Sequence, residues 1–307
     1  MPKTQPALRL SAHEHRALAR RYRRRLTLAA YGFLAPALLF FVPFLLAPVF
    51  LLFLQTFQSG GVIGPAKYVG LQNWIRTFGD PLVLISIKNT IVYSLIAIPA
   101  VFAISMVLAL AMKSVGRGLG VIKTIIYFPT LQPMLIIALM FTFVLHPDFG
   151  VINIVYRLFT GATVNFLGDV DKALPTIAMV EVWKGIGFWT LLFLAGLKSL
   201  PLDLFYAAEL DGAGPLRRFV QHTLPLLKPT FFFSIIFATI VNLQLFDSVF
   251  VLTDGGPARS TVTVTWYVYR SLFTFNQPGY GATVAFVLVM VVLTLTFIQS
   301  RIFKEKR

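Results

Sequence analysis

The residues of this chain that could do chemistry sit in unusual company. Glu181 and Lys184 lie three apart within an otherwise apolar run, with Trp183, Gly185, Phe188 and Trp189 around them, and Asn242, Gln244 and Asp247 interrupt a second run rich in Phe, Ile and Val. Polar groups at such positions bind a solute, line a water-filled path or neutralise one another, because an unsatisfied polar group in an apolar medium is costly. A spacing of three puts Glu181 and Lys184 on one helix face, so an internal ion pair and a solute site are both open readings. Left unpaired, Lys184 would favour a phosphate or carboxylate on the solute. Asn242 and Asp247, five apart, share a face only loosely, and Asn242 also suits a hydrogen bond between helices.

Catalytic constellations are missing. There is no Cys, and the 4 His and 12 acidic residues form neither an HExxH nor a GxSxG string, which excludes a thiol nucleophile, a thiolate metal site and the common protease and lipase arrangements. His13 and His15 have only Glu14 beside them, too few ligands for a metal. No GxxxxGK[ST] loop is present either, and the glycines Gly116, Gly118 and Gly120 lie in a short basic turn without the strand that a phosphate loop needs. The chain is therefore expected to have no catalytic residue, no metal and no cofactor.

The elements that hold these residues are long apolar runs. Of 307 residues 57% are hydrophobic and only 13% charged, and mean hydropathy is +0.78; a water-soluble surface needs about 25% charged residues. Six stretches have the ~20 apolar residues that cross the hydrocarbon: 26–54, 85–112, 121–145, 173–197, 229–252 and 280–299. The first is too long for a removable leader and lacks a small-residue cleavage site; Pro36, Pro43 and Pro48 are expected to bend it. The fold class is thus all-α, a polytopic membrane protein with six transmembrane helices.

The formal charge of +15 reads as topology. Nineteen Lys and Arg fall in the segment 1–25, in alternate connections and in the tail 301–307, against six in the other connections, which places both termini in the cytoplasm. Arg20 to Arg25, immediately before a span, is an anchor for anionic membrane lipid rather than a nucleic-acid arm.

The connection 198–228, KSLPLDLFYAAELDGAGPLRRFVQHTLPLLK, carries helix punctuation. Asp203 suits an N-cap, Gly212 a left-handed helix end, and Gly214–Pro215 a new start. Two short helices meeting at a bend are expected, with Leu204, Phe205, Ala208 and Leu210 on the first and Leu216, Phe219, Val220 and Leu224 on the second. Their apolar faces either enter a groove on another protein or fold back on the chain's own spans.

The string YAAELDGAG at 206–214, with Phe219 and Leu224–Pro225, resembles the cytoplasmic signature of membrane subunits of binding-protein-dependent ABC importers, nearest the branch for maltose, oligosaccharides and glycerol-3-phosphate. YVGLQNW at 68–74, NTIVY at 89–93, VWK at 182–184, VLTDGGP at 251–257 and YGATVA at 280–285 extend the resemblance from about residue 27 to the end. It implies a type I importer (MetI-like) permease fold in the cell inner membrane. The implied organisation is a first span and outer loop over 26–84 and a permease core over 85–300.

The resemblance also implies partners. These are a second permease subunit completing a heterodimer, two ATP-binding subunits, an extracytoplasmic solute-binding protein and a carbohydrate substrate, with a phosphorylated polyol as the alternative. Coupling to the ATPase falls on Ala207, Ala208, Glu209, Asp211, Gly212, Arg217, Arg218 and Phe219. Tyr206 stands where the family has a glutamate, leaving Glu209 or Asp211 to supply an acid. Register with the family places Asn242, Gly185 and Phe188 at sugar-contacting positions, while Val241 and Leu245 depart from it. Asp254–Pro257 is expected to be an outer turn, and 55–84 and 146–172 interfacial helices that receive the binding protein. The rival class, an ion-gradient-driven secondary transporter, has no use for the 198–228 segment and would show an inverted repeat, which is not visible here.

Overall fold

The structure, a computed structural model, describes residues 12–61, 65–210 and 212–302. Lys3, Arg9, Asp211, Lys304, Lys306 and Arg307 lie outside the described residues, as do the side chains of Phe205, Tyr206 and Ala207. The chain divides into two units, one ending at Gln55 and one beginning at Thr56.

In the first unit, α1 (Ala12–Phe41) carries the arginine run and continues past Pro36 into a π-helical turn, Val42–Leu46, and α2 (Ala47–Gln55). Prolines were expected to bend this span. Pro43 sits in the wider turn, where the Ala47 N–H donates to the Val42 carbonyl. The ladder shifts register locally rather than ending, a common answer to a missing donor.

The second unit begins with a two-residue hairpin, β1 (Gln58–Ser59) against β2 (Lys67–Tyr68) in antiparallel register, followed by α3 (Gln72–Gly79). Asp80 then caps α4 (Pro81–Lys113): its carboxylate accepts the Leu82 N–H at 2.8 Å, and Pro81 occupies the first helical position, where no donor is needed. α4 packs along α8 (Ala173–Lys198). The buried stripe of α4 runs through Ser86, Thr90, Ala97, Ser105 and Ala109, while Leu84, Leu95 and Val107 point outward. The buried positions mix these small residues with Tyr93, Phe102 and Met106, and Ser105 Oγ donates to the Ile186 carbonyl of α8 at 3.2 Å. Small residues let helix backbones approach closely in lipid, where apolar character alone gives no preference for the interior.

Between them lie α5 (Leu119–Leu131), α6 (Met134–Val144) and the outer α7 (Val151–Thr160). The span expected over 121–145 is bent by 93° between α5 and α6. Pro133 cannot donate to the ladder, and Gln132 before it is extended, at φ −79° and ψ 141°.

After α8 come α9 (Leu202–Leu210), α10 (Pro215–Arg218), a π-helical segment Phe219–Thr223, α11 (Leu224–Leu226) and α12 (Lys228–Asn242). The fifth expected span is also interrupted. α12 stops at Asn242 and α13 runs from Asp247 to Leu252. α14 (Val264–Tyr269), a π-helical turn Arg270–Thr274 and α15 (Pro278–Ile302) complete the unit. Among the described residues, five helices are long and apolar enough to cross a membrane, or six counting the bent pair as one.

Gly187 fixes how α5 meets α8. A Cβ there would stand 2.4 Å from the Ile126 carbonyl oxygen and 2.7 Å from the Tyr127 Cα, both backbone atoms. At Gly185 the nearest atoms would be ordinary contacts at 3.5 Å or more. Gly187→Val is therefore expected to destabilise the purified chain by about 1–3 kcal/mol or more, as overpacking does, whereas Gly185→Ala should melt near the parent temperature in detergent. Equal melting temperatures for the two variants would contradict this packing.

Candidate functional site

The two helix interruptions face the same stretch of α8. Between them lies a cavity of about 300 Å³, lined by Glu181, Lys184, Gly185 and Phe188 of α8 and by Asn242, Gln244 and Asp247 at the α12–α13 break. Thr130 and Met134 flank the α5–α6 bend, and Tyr93, Val101, Trp189, Phe237 and Val241 close the walls. All seven solute-pathway positions read from sequence thus meet in one cavity. Trp183 does not join them; it packs edge-on against Phe141. Thr130, Tyr93 and Phe237 were not singled out from sequence, although Pro129 and Pro133 beside Thr130 mark a place where a span breaks.

The ion pair of Glu181 with Lys184, one of the two open readings, is absent among the described residues. The Glu181 carboxylate instead accepts from the Ser248 hydroxyl of α13 at 2.7 Å. Three-residue spacing brings two side chains to one face, but the partner across the helix–helix contact has taken the carboxylate. The Lys184 carbonyl accepts from Thr130 Oγ1 at 2.8 Å, while its ammonium has no hydrogen-bond or ion-pair partner among the described residues. Asn242 donates to the Ala238 carbonyl of its own helix at 2.8 Å, so it is not the interhelical link considered above.

Backbone groups freed at the break are satisfied locally. Gln244 and Leu245 N–H donate to the Val241 and Asn242 carbonyls, and Thr263 Oγ1 donates to the Leu245 carbonyl at 2.9 Å. An aromatic wall faces the polar end. Phe188 meets Trp189 at 5.0 Å between centroids, and Trp189 meets Phe237 at 6.1 Å. Flat apolar faces opposite amides, a lysine and carboxylates make a site for a molecule with both C–H faces and hydroxyls.

Segment 198–228 holds the expected bend. α9 ends at Leu210, Gly212 adopts φ +74°, and the Ala213 N–H donates to the Ala208 carbonyl at 2.9 Å. Asp203 stands inside the first turn rather than capping it, since the helix already begins at Leu202. The second half runs as α10, the π-helical segment and α11 to a one-residue turn at Leu227, after which α12 begins, so two short helical pieces meet at the bend as expected. The two fates considered for the apolar faces divide between residues. Ala208 and Ala213 are buried and Phe219 packs on the core, whereas Leu210 and Leu216 are 89% and 76% exposed, with Leu204 and Val220 open beside them. Glu209 is bound by Arg218 at 2.9 Å, and Arg217 donates to Gln221 at 3.0 Å.

The opposite side is rigid. Asp254, at φ +47°, accepts the Trp266 indole N–H at 2.9 Å and pairs with Arg270. A Cβ at Gly255, φ +85°, would stand 2.9 Å from the Trp266 ring. Asn89 donates to the carbonyls of Arg259 and Val262, both at 3.0 Å, fastening this turn to α4. Asp80, which sequence did not single out, accepts from the hydroxyls of both Tyr267, at 2.6 Å, and Tyr280. Arg76 lies 4.0 Å over the Tyr280 ring and donates to Gln277. Burial opposes ionisation of Asp80, but the two hydroxyls, the Leu82 N–H and the Arg76 charge outweigh it and hold its pKa below the usual carboxylate value. Burial and donation to Asp80 push the Tyr267 phenol up to about 12.

Residues 101–306 match the protein family described as "Binding-protein-dependent transport system inner membrane component". The sulfoquinovosyl glycerol transport system permease protein SmoG of Agrobacterium fabrum is 32% identical over 281 residues, covering 91% of both chains. The trehalose/maltose transport system permease protein MalF of Thermococcus litoralis is 30% identical over 278 residues, 90% of this chain and 94% of that one. Among solved structures, a bacterial alginate ABC transporter in complex with an alginate pentasaccharide-bound periplasmic protein matches with TM-score 0.79 at 22% identity, covering 91% of this chain and 96% of that one.

A lowered carboxylate pKa stabilises the fold above the unfolded-state value and stops doing so as pH falls through the lowered one. Asp80→Asn is therefore expected to melt at a lower temperature near neutral pH and to lose less stability than the parent between about pH 5 and pH 3. Parallel acid profiles for the two proteins would show that Asp80 is not the group responsible.

Proposed function

The chain belongs to the family of inner-membrane components of binding-protein-dependent transport systems, and we propose that it forms one half of the path by which such an importer moves a carbohydrate. As a family member it is a multi-pass permease subunit of an ABC importer. The finer reading adds a second permease subunit, two ATP-binding subunits acting from the cytoplasm, an extracytoplasmic solute-binding protein, and both termini in the cytoplasm.

The observation that carries the substrate reading is the convergence of Lys184, Phe188, Asn242, Gln244 and Asp247 from two separate spans on one cavity. Pyranose rings present apolar C–H faces and equatorial hydroxyls, which aromatic rings and amides satisfy together. The sugars in the names of the two relatives above support the same class. A second reading, a phosphorylated polyol, is favoured by the unpartnered Lys184 ammonium, but Glu181 and Asp247 in the same wall oppose an anion.

Force enters through segment 198–228. Its exposed leucines offer an apolar surface of the kind that seats in a groove, and Gly212 sets the angle between its two halves. α11 is joined to α12 through the single turn residue Leu227, and the far end of α12 borders the cavity. Movement of an ATPase groove that holds Leu210 and Leu216 would therefore be carried along α12 to Asn242. Two access states then differ in which ATPase arrangement they fit, and nucleotide binding and hydrolysis select between them. No bond in the solute changes.

Leu210→Ser combined with Leu216→Ser is expected to cut co-purification of the ATPase by roughly 10-fold or more, the scale of an interface hot spot. Asn242→Leu should leave that association intact and weaken stimulation of ATP hydrolysis by solute-loaded binding protein by about 10-fold. Undiminished association in the first variant would overturn the docking assignment; an unchanged response in the second would remove Asn242 from the site.

A further inference from the structure

One face of α12 is open along its length. Phe233, Phe237 and Val241 recur every four residues, which sets each about 40° around the helix from the next, and the two phenylalanines are 54% and 39% exposed. Phe237 and Val241 belong to the cavity wall, and Phe233 continues that face one turn toward Lys228. The opposite face, with Phe231, Ser234, Ile235 and Ala238, is packed into the core.

The rings themselves are ordered. Phe233 and Phe237 are parallel, 7° between planes and 5.8 Å between centroids, and Phe237 stands 5.8 Å from Phe188. Three aromatic faces therefore step out of the cavity in a row. Polar groups stay behind at the other end, with Lys184, Asn242, Gln244 and Asp247. On α8, the residues beyond Phe188 on the open side are Leu191, Leu192 and Ala195, none of which can hydrogen-bond through its side chain.

We propose that Phe237 and Phe233 form a stacking track along which successive rings of an oligosaccharide pass from the cavity toward the 198–228 end of the bundle. This deepens the carbohydrate reading and rests on it. A path that must release its cargo needs contacts that are repeated and weak rather than one strong grip. Ring stacking meets that need, because a C–H face slides over an aromatic face without breaking directional hydrogen bonds. The four-residue step from Phe233 to Phe237, about 6 Å of helix rise, is comparable to the length of one ring in a saccharide chain, so adjacent rings of the solute engage adjacent phenylalanines. A monosaccharide can occupy only one step at a time, and an acyclic polyol has no ring face to offer. The track therefore selects for cyclic sugars of two or more units.

The test uses the whole complex, with its second permease, ATPase and binding protein, in proteoliposomes. ATP-driven uptake is measured for labelled mono- to tetrasaccharides of the glucose, galactose and uronic acid series. Phe233→Ala should slow uptake of the longer saccharides roughly 3- to 10-fold, the scale of one aromatic contact, with a smaller effect on any monosaccharide carried. Phe233→Trp should restore the rate and Phe233→Leu should not. Parent-like uptake by Phe233→Leu would mean that this face only packs against lipid or the second permease, and would overturn the track. So would an equal loss at every saccharide length, or uptake of monosaccharides alone, and in each case the carbohydrate reading would stand. If the parent complex takes up no saccharide of any series, the carbohydrate reading fails and the track with it.

Discussion

In a lipid bilayer every backbone N–H and C=O must find its partner within the protein, and this constraint decides where the chain is allowed to stop being a helix. A break facing lipid would leave several carbonyls and amides without water or partner, at a cost of several kcal/mol each. Both interruptions among the described spans are placed accordingly. At Gln132–Pro133 the chain turns by 93° beside α8, and at Leu243–Phe246 tight turns and the Thr263 hydroxyl satisfy the freed groups. Each break carries polar residues into the same space, so the cavity is the place where irregular backbone is affordable.

Around the cavity, the packing is set by size. The buried face of α4 includes small residues such as Ala97, Ser105 and Ala109, and Ser105 reaches the Ile186 carbonyl of α8. Gly187 admits α5, whose backbone comes so near that no side chain fits between. Close backbone approach has a functional consequence: α4, α5 and α8 form a rigid wall carrying Lys184, Gly185 and Phe188. The facing element, α12, follows segment 198–228 in the chain and is broken at the level of the cavity.

The two ends of the bundle use polar residues differently. At the end away from segment 198–228, Asp80, Asp254 and Asn89 each bind two or more groups from other elements, and they lock α4, α14, α15 and the 254–262 turn together. In segment 198–228 the ion pair of Glu209 with Arg218 spans only the bend, and exposed pairs of this kind contribute little. That segment holds its shape through Gly212 and buried alanines while leaving Leu210 and Leu216 open.

Much of this was legible along the chain. Hydropathy marked the spans, the glycine and proline grammar of 198–228 placed its bend at Gly212, and scarcity of polar residues in apolar runs singled out Glu181, Lys184, Asn242, Gln244 and Asp247. Those signals are local: each depends on composition, on dihedral preference or on spacing within one helix. What the tertiary structure alone decided is pairing across helices. Glu181 binds Ser248, 67 residues away, rather than Lys184 one turn along, and Asp80 gathers Tyr267 and Tyr280 from near the other end of the chain. Phe237 became a cavity wall and Thr130 its neighbour only because two broken spans face one another. Spacing within a helix determines which side chains share a face, but the crossing of helices determines what that face meets, and no periodicity in the sequence encodes a crossing.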